Sequence, residues 1–395
     1  MAATVHSDLG GATKREAERV VRDGCATERG VRDGDGGERE RCRRRRSKIL
    51  NTLQKKEMTL GLLALLSTLF WGLESHSPPP PPSSEHFDAI VAIDGSGDFK
   101  TITEALQAAP NNSETRYYIK IKEGTYNESV FIDKHKTNIT FIGEGVDRTI
   151  ITGSKSNGTG FQTSDTATAD VHGYGFIAQD ITFQNTAGPS MHQAVAASIS
   201  GDHVTFYRCK FDGYQDTLYT KEGVQFFRDC DVYGTIDFIF GNAKVIFQNC
   251  NIYAKRPEDN QNEVTITAQG RKHKNEDTAI VLQGCTINVM QDLREHKPKV
   301  RVFLGRSWKS HSRTIIMSSY LDEFIDPEGW IQWHGKKEDI YFAEYHNTGP
   351  GANTSLRVNW ERNISENEAS NFTVRNFLHG YEWIPSEIPN ALDLV

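Results

Sequence analysis

From His86 onward, apolar and β-branched residues come in short runs separated by Gly, Asn and Asp, without the sustained three-and-four spacing of an amphipathic helix. Strands are expected at residues 117–121 (YYIKI), 138–142 (NITFI), 149–152 (TIIT), 175–183 (GFIAQDITF), 203–206 (HVTF), 223–227 (GVQFF) and 244–247 (KVIF). One stretch, 103–109 (TEALQAA), reads as a helix. The expected fold class is all-β.

A repeat runs through these strands. FYRCKF, FRDCDV, FQNCNI and LQGCTI surround Cys209, Cys230, Cys250 and Cys285, and IAQDITF at 177–183 is a copy without cysteine. The cysteines lie 21, 20 and 35 residues apart. A period near 20 with one insertion fits a β-solenoid, whose coils bury their apolar face only by stacking on neighbours. Chance recurrence among many short strands is the competing reading. In a solenoid these cysteines stack inside the coil. A Cys250–Cys285 disulfide is open in an oxidising compartment, while Cys209 and Cys230 read equally as free buried thiols.

The chain before the repeats has a different character. Residues 1–57 are polar, rich in Gly, Arg and Glu, and carry the run Arg43 to Arg46; a disordered basic extension is expected there. Residues 58–76 include a 14-residue apolar run (LGLLALLSTLFWGL) behind Lys55 and Lys56. That is short for a spanning helix and suits a signal peptide, with an uncleaved signal anchor as the alternative. Met58 is a candidate true start. Residues 77–84 (SPPPPPSS) read as a stiff linker, leaving 85–395 as the catalytic domain. Seven sequons, at Asn111, Asn127, Asn138, Asn157, Asn353, Asn363 and Asn371, agree with a secretory route.

Charge narrows the partners. The net charge of −7 conceals −11 from residue 85 onward, which argues against nucleic acid, since that partner demands clustered Lys and Arg. No cysteine pair has zinc-finger or CxxC spacing.

Asp216 and Asp237 each lie seven residues after a repeat cysteine. Equal phase in adjacent coils places them on one face, with backbones about 4.8 Å apart. Two carboxylates that close do not both ionise freely, so one becomes a proton donor and the other a nucleophile. An Asp in a turn more commonly caps backbone amides; the shared phase is what sets this pair apart. Attack on a carbonyl also needs oxyanion donors. Gln215 and Gln193 are candidates, although a solenoid stacks glutamines into hydrogen-bonded ladders as readily. Arg306 offers a permanent cation and Trp308 a flat face for a sugar ring. Tyr214, Tyr219, Phe238, Trp330 and Trp333 are further candidates for a groove.

The segments 124–128 (GTYNE), 193–196 (QAVA), 213–219 (GYQDTLY), 237–241 (DFIFG) and 304–308 (LGRSW), in that order, resemble the plant pectin methylesterase family. QNTAGP, TAQGR and PEGW extend the likeness over residues 87–383. The resemblance implies a right-handed parallel β-helix acting on methyl-esterified homogalacturonan without metal or other cofactor. It makes Asp237 the nucleophile, Asp216 the acid and base, Gln215 and Gln193 the oxyanion donors, and Arg306 the group that orients Asp237. Trp308 and Thr163 would contact the sugar. It further implies a secreted, cell-wall enzyme, expected to be a monomer, with a proteinaceous inhibitor as a candidate partner.

Three features depart from the family. Ser307 stands where proline is usual, the C-terminal SEIPNALDLV differs from the usual ending, and the N-terminal region is too short for an inhibitor-like pro-domain. A lyase or glycosidase on the same solenoid, a non-catalytic wall-binding protein and a plain scaffold are the rival readings.

Overall fold

A computed structural model describes residues 87–297, 299–333 and 339–395. The expected extension, signal segment and linker lie outside the described residues. Among the described residues of the unit His86–Val395 the strands form three sheets, of eleven, eight and eight strands, and the central windings of the chain each add one strand to each sheet. Neighbouring windings pair in parallel, for example Val204–Tyr207 with Val224–Arg228 and Lys210–Asp212 with Asp231–Gly234. The chain is a right-handed parallel β-helix.

One eight-stranded sheet carries the site, and its strands are numbered here in chain order: β1 (Val130–Ile132), β2 (Ala169–Val171), β3 (Ala197–Ile199), β4 (Leu218–Thr220), β5 (Ile236–Gly241), β6 (Glu263–Gln269), β7 (Arg301–Ser307) and β8 (Trp330–Ile331). The helix α1 spans Ile102–Ala108, with Thr101 and Glu104 forming a capping box. Two short helices, Gln291–Glu295 and Glu366–Ala369, were not apparent from the pattern; each is too short to show helical periodicity.

The cysteine repeat marks a corner. The residue just before each repeat cysteine has positive φ: Arg208, Asp229, Asn249 and Gly284, with Asp180 and Ser318 in the same role on adjoining windings. Asp, Asn and Gly adopt this left-handed conformation at least cost, which explains why the repeat places them there. The same corner divides the expected strand 175–183 into Ile177–Gln179 and Thr182–Asn185. The four cysteines stack inside the coil, the amide of Cys209 facing Cys230 Sγ and that of Cys230 facing Cys250 Sγ, each at 3.4 Å. All four are free thiols, so the Cys250–Cys285 disulfide does not form.

Stacked phenylalanines fill the interior. Phe206, Phe227 and Phe247 lie nearly parallel, with centroids 5.0 and 4.4 Å apart. The eleven-stranded sheet is buried on its outer face as well, because residues 364–388 lay Ile364, Phe372, Phe377 and Ile388 against Phe226, Ile246, Val281 and Ile315. Strands covered on both faces lose their polar alternation, and Ala279–Gln283 is buried throughout. The unusual C-terminal tail packs along this flank: Gln248 Nε2 donates to Ala391 O and Gln283 Nε2 to Asp393 O, both at 2.8 Å.

Candidate active site

β4 and β5 pair with Leu218 opposite Ile239 and Tyr219 opposite Phe240. That register puts Asp216 beside Asp237, and the Asp216 amide donates to Ile236 O at 3.0 Å. Both aspartates have positive φ, 62° and 52°, a conformation Asp tolerates better than most residues. Both are nearly buried, 8% and 5% exposed.

Their surroundings differ. Arg306 grips Asp237 with both arms of its guanidinium, Nε to Oδ1 and Nη2 to Oδ2, each at 2.7 Å. Thr265 Oγ1 donates to Oδ1 at 2.7 Å and accepts the Asp237 amide at 2.9 Å. Asp216 has no side-chain hydrogen-bond partner among the described residues. Burial, and then the charge of Asp237, push its carboxyl well above the ordinary value, with Arg306 offsetting part of the rise. One acid thus has its ionised form disfavoured while its neighbour is paired with a cation.

The pair opens into a cleft of about 360 Å³, whose lining includes Thr163, Gln193, Gln215, Trp308 and Trp333. Gln193 and Gln215 come from successive windings, linked by the Ala194 amide donating to Gln215 O at 3.1 Å. Neither side-chain amide has a partner among the described residues, whereas Gln248 and Gln283 elsewhere do form a ladder bond of 2.9 Å. Thr163 opens a 3₁₀ turn at the cleft wall. Trp308 meets the stacked pair Tyr219 and Phe240 edge-on, at 6.3 and 6.0 Å. It lies over Gly270, where a Cβ would come within 2.9 Å of the indole.

All seven sequence-derived site residues therefore converge. Ser307 ends β7 buried and in register with Gln269, which leaves the Arg306 grip intact. Other candidates belong elsewhere. Phe238 and Trp330 are fully buried, and Tyr214 lies under Lys255 Nζ at 3.8 Å. Trp333 does reach the cleft, its ring 3.8 Å from the Arg306 guanidinium carbon. Thr265, Phe240 and Lys221 were not singled out from sequence. Phe240 follows Asp237 by three residues as Tyr219 follows Asp216, so phase alone pointed to it; nothing local marks Thr265 in a strand of β-branched residues. Among the described residues, no group of three or more His, Cys, Asp or Glu is placed to hold a metal ion.

Fold and cleft together define a parallel β-helix protein that carries an acid pair, one member clamped by arginine, on a sheet face. Residues 88–381 match the pectinesterase family model, and the chain belongs to the pectinesterase family. It is 50% identical over 302 residues to pectinesterase 2 of Citrus sinensis, covering 75% of this chain and 58% of that protein. It is likewise 50% identical over 301 residues to a probable pectinesterase/pectinesterase inhibitor of Arabidopsis thaliana, covering 75% and 55%. The chain thus spans little more than half the length of these curated relatives. Among solved structures, the carrot pectin methylesterase aligns with a TM-score of 0.77 and 45% identity, covering 80% of this chain and 100% of that one. The Aspergillus niger enzyme aligns at 0.68 and 30%, covering 77% and 98%.

Proposed function

We propose that this protein hydrolyses the C6 methyl esters of galacturonate in homogalacturonan, releasing methanol and leaving free carboxylates. The observation that carries the reading is the asymmetry of the acid pair: Asp237 clamped by Arg306, and Asp216 buried beside it with its carboxyl pushed well above the ordinary value.

In the first step the Asp237 carboxylate attacks the ester carbonyl carbon, and the carbonyl oxygen becomes an oxyanion that accepts from the Gln193 and Gln215 amides. Those amides are neutral, so they stabilise the oxyanion without drawing the Asp237 carboxylate away from Arg306. As the intermediate collapses, Asp216 gives its proton to the departing methoxide, and methanol leaves an acyl group on Asp237. In the second step Asp216, now ionised, takes a proton from water, which attacks the acyl carbon and frees Asp237. Asp216 ends protonated, as it began. Trp308 and Thr163, which both line the cleft, contact the sugar in this reading.

The positive-flanked apolar run before Ser77 and the sequons support secretion to the cell wall with glycosylation. N-terminal sequencing of secreted protein tests this, a start beyond residue 76 being the expected result. The Arabidopsis relative's name joins pectinesterase to pectinesterase inhibitor, which supports a proteinaceous inhibitor as a partner.

The deciding experiment measures methanol release from highly methylated pectin by wild type and Asp237→Ala. Wild type is expected to release methanol and the folded variant none. Near-normal release by a folded variant would remove Asp237 from the attacking role, and polymer cleavage without methanol would favour a lyase or glycosidase.

A further inference from the structure

A β-helix has two open ends, and a sequon lies on an end strand at each. Gly124–Asn127 is the first strand of one eight-stranded sheet and, among the described residues, pairs only with Thr149–Gly153. Arg362–Asn363 is the last strand of the eleven-stranded sheet and, among the described residues, pairs only with Tyr341–Tyr345. An end strand leaves peptide groups on its outer edge unpaired, a template for a strand of another chain.

Side chains close these ends only in part. At the first end α1 buries Ile102, Ala105 and Leu106 in the core. Its first turn is held by the Glu128 carboxylate, which accepts the Ile102 and Thr103 amides at 2.9 and 3.0 Å. Phe131 nevertheless stays 54% exposed on β1, the end strand of the site sheet, and Ile93 stays 50% exposed. Ile93 adjoins the strand of Asn127, its Cγ2 being 3.0 Å from where a Cβ on Gly124 would sit. At the other end Tyr320, on the last strand of its sheet, is 41% exposed and Leu356 is 67% exposed. Leu356 precedes Arg357, whose guanidinium binds Glu344 directly opposite Asn363. Open strand edges flanked by exposed apolar side chains are sites of association. All strands run parallel, so the last strand of one copy matches the first strand of the next. Such head-to-tail contact does not close on itself and builds a fibre.

The sequons themselves are not equivalent. Nδ2 already donates in Asn138, Asn157 and Asn371, to Ser113 O, Phe161 O and Asn367 O at 2.9, 3.1 and 2.9 Å. Asn111 and Asn353 are exposed but lie outside the strands. Asn127 and Asn363 are exposed on their end strands, and neither side chain has a hydrogen-bond partner among the described residues. Ser129 and Ser365, the third residues of these two sequons, are exposed as well.

We propose that Asn127 and Asn363 carry N-linked glycans that cap the two ends of the β-helix and keep a second copy from pairing with either end strand. A glycan is bulky and hydrated, so it shields the edge without covering the catalytic cleft, whose lining includes neither residue. The proposal rests on the secretory reading.

The test uses the full chain secreted from plant cells. Mass spectrometry of its proteolytic peptides locates the glycans, and light scattering over a range of concentrations gives the mass. Both asparagines are expected to be glycosylated, and wild type to keep the mass of one copy. The double variant Asn127→Gln, Asn363→Gln is expected to rise about twofold or more in mass with concentration, its circular dichroism unchanged. Each single variant keeps one glycan in every head-to-tail contact and should stay a single copy. Native wild type treated with an endoglycosidase should associate like the double variant, which separates glycan loss from any effect of the substitutions on folding. Glycan found only at other sequons overturns the proposal and leaves the secretory reading standing. Absence of glycan from all seven overturns both. A double variant and an enzymatically deglycosylated protein that both keep the mass of one copy overturn the capping role.

Discussion

Arg306 reaches across from β7 to hold both carboxylate oxygens of Asp237 on β5, at 2.7 Å each. Trp333 covers the guanidinium, so the fork is fixed from one side by the acid and from the other by a ring. Arg306→Lys keeps the charge and loses both the second bond and the stacking. Methanol release should fall by about two orders of magnitude, the scale of removing one preorganised electrostatic group, while circular dichroism stays that of the wild type.

Asp216 gives the pH dependence. Its folded carboxyl binds a proton more tightly than the unfolded one, so the stability it contributes is complete below about pH 3.8 and is lost as pH rises through the folded pKa. Asp216→Asn cannot ionise and escapes that loss. The variant should therefore melt above wild type at pH 7, and the two should converge below pH 3.8. Thermal melts across this range check the sign. In the catalytic role proposed for Asp216, the first-step rate of wild type falls as pH passes the same folded pKa, which single-turnover methanol release would show.

Thr265 supports Asp237 twice, accepting its amide and donating to its carboxylate. Thr265→Val preserves the shape and deletes both bonds in a site that is 2% exposed. A loss of about 1–3 kcal/mol is expected in denaturant unfolding, the cost of an orphaned buried donor, together with reduced methanol release.

The cysteine ladder is a packing device. Its four thiols are buried and free, and burial raises those of Cys230 and Cys285. A thiol reagent should leave these four untouched in native protein and label them after unfolding, and dithiothreitol should leave the melting temperature unchanged. A drop in melting temperature on reduction would reveal a disulfide in the β-helix.

Chelation offers a separate check. Methanol release is expected to continue in EDTA, since the proposed steps move protons and charge among side chains alone; loss of activity restored by a divalent cation would contradict them.

What was legible in the sequence depended on repetition. The period near 20 marked the stacked coils, because windings of similar length bury their apolar face against one another, and the structure then put a positive-φ corner just before each repeat cysteine. Asp216 and Asp237 could be paired for the same reason: equal distance from equivalent corners gives equal height on one sheet. Arg306 stands 69 residues from Asp237, beyond a long insertion that breaks the period, and only the family resemblance linked them. The Cys250–Cys285 bond was an open reading because spacing does not fix the distance between stacked sulfurs.

The sequence by itself determined a stacked solenoid with two aspartates in phase, since period and corner chemistry are local properties that repeat along the chain. The tertiary structure decided what those aspartates are. Burial raised one, a cation from two windings away clamped the other, and two glutamines were left without ladder partners among the described residues. These outcomes depend on desolvation and on which side chains converge from distant windings, and no local pattern encodes them.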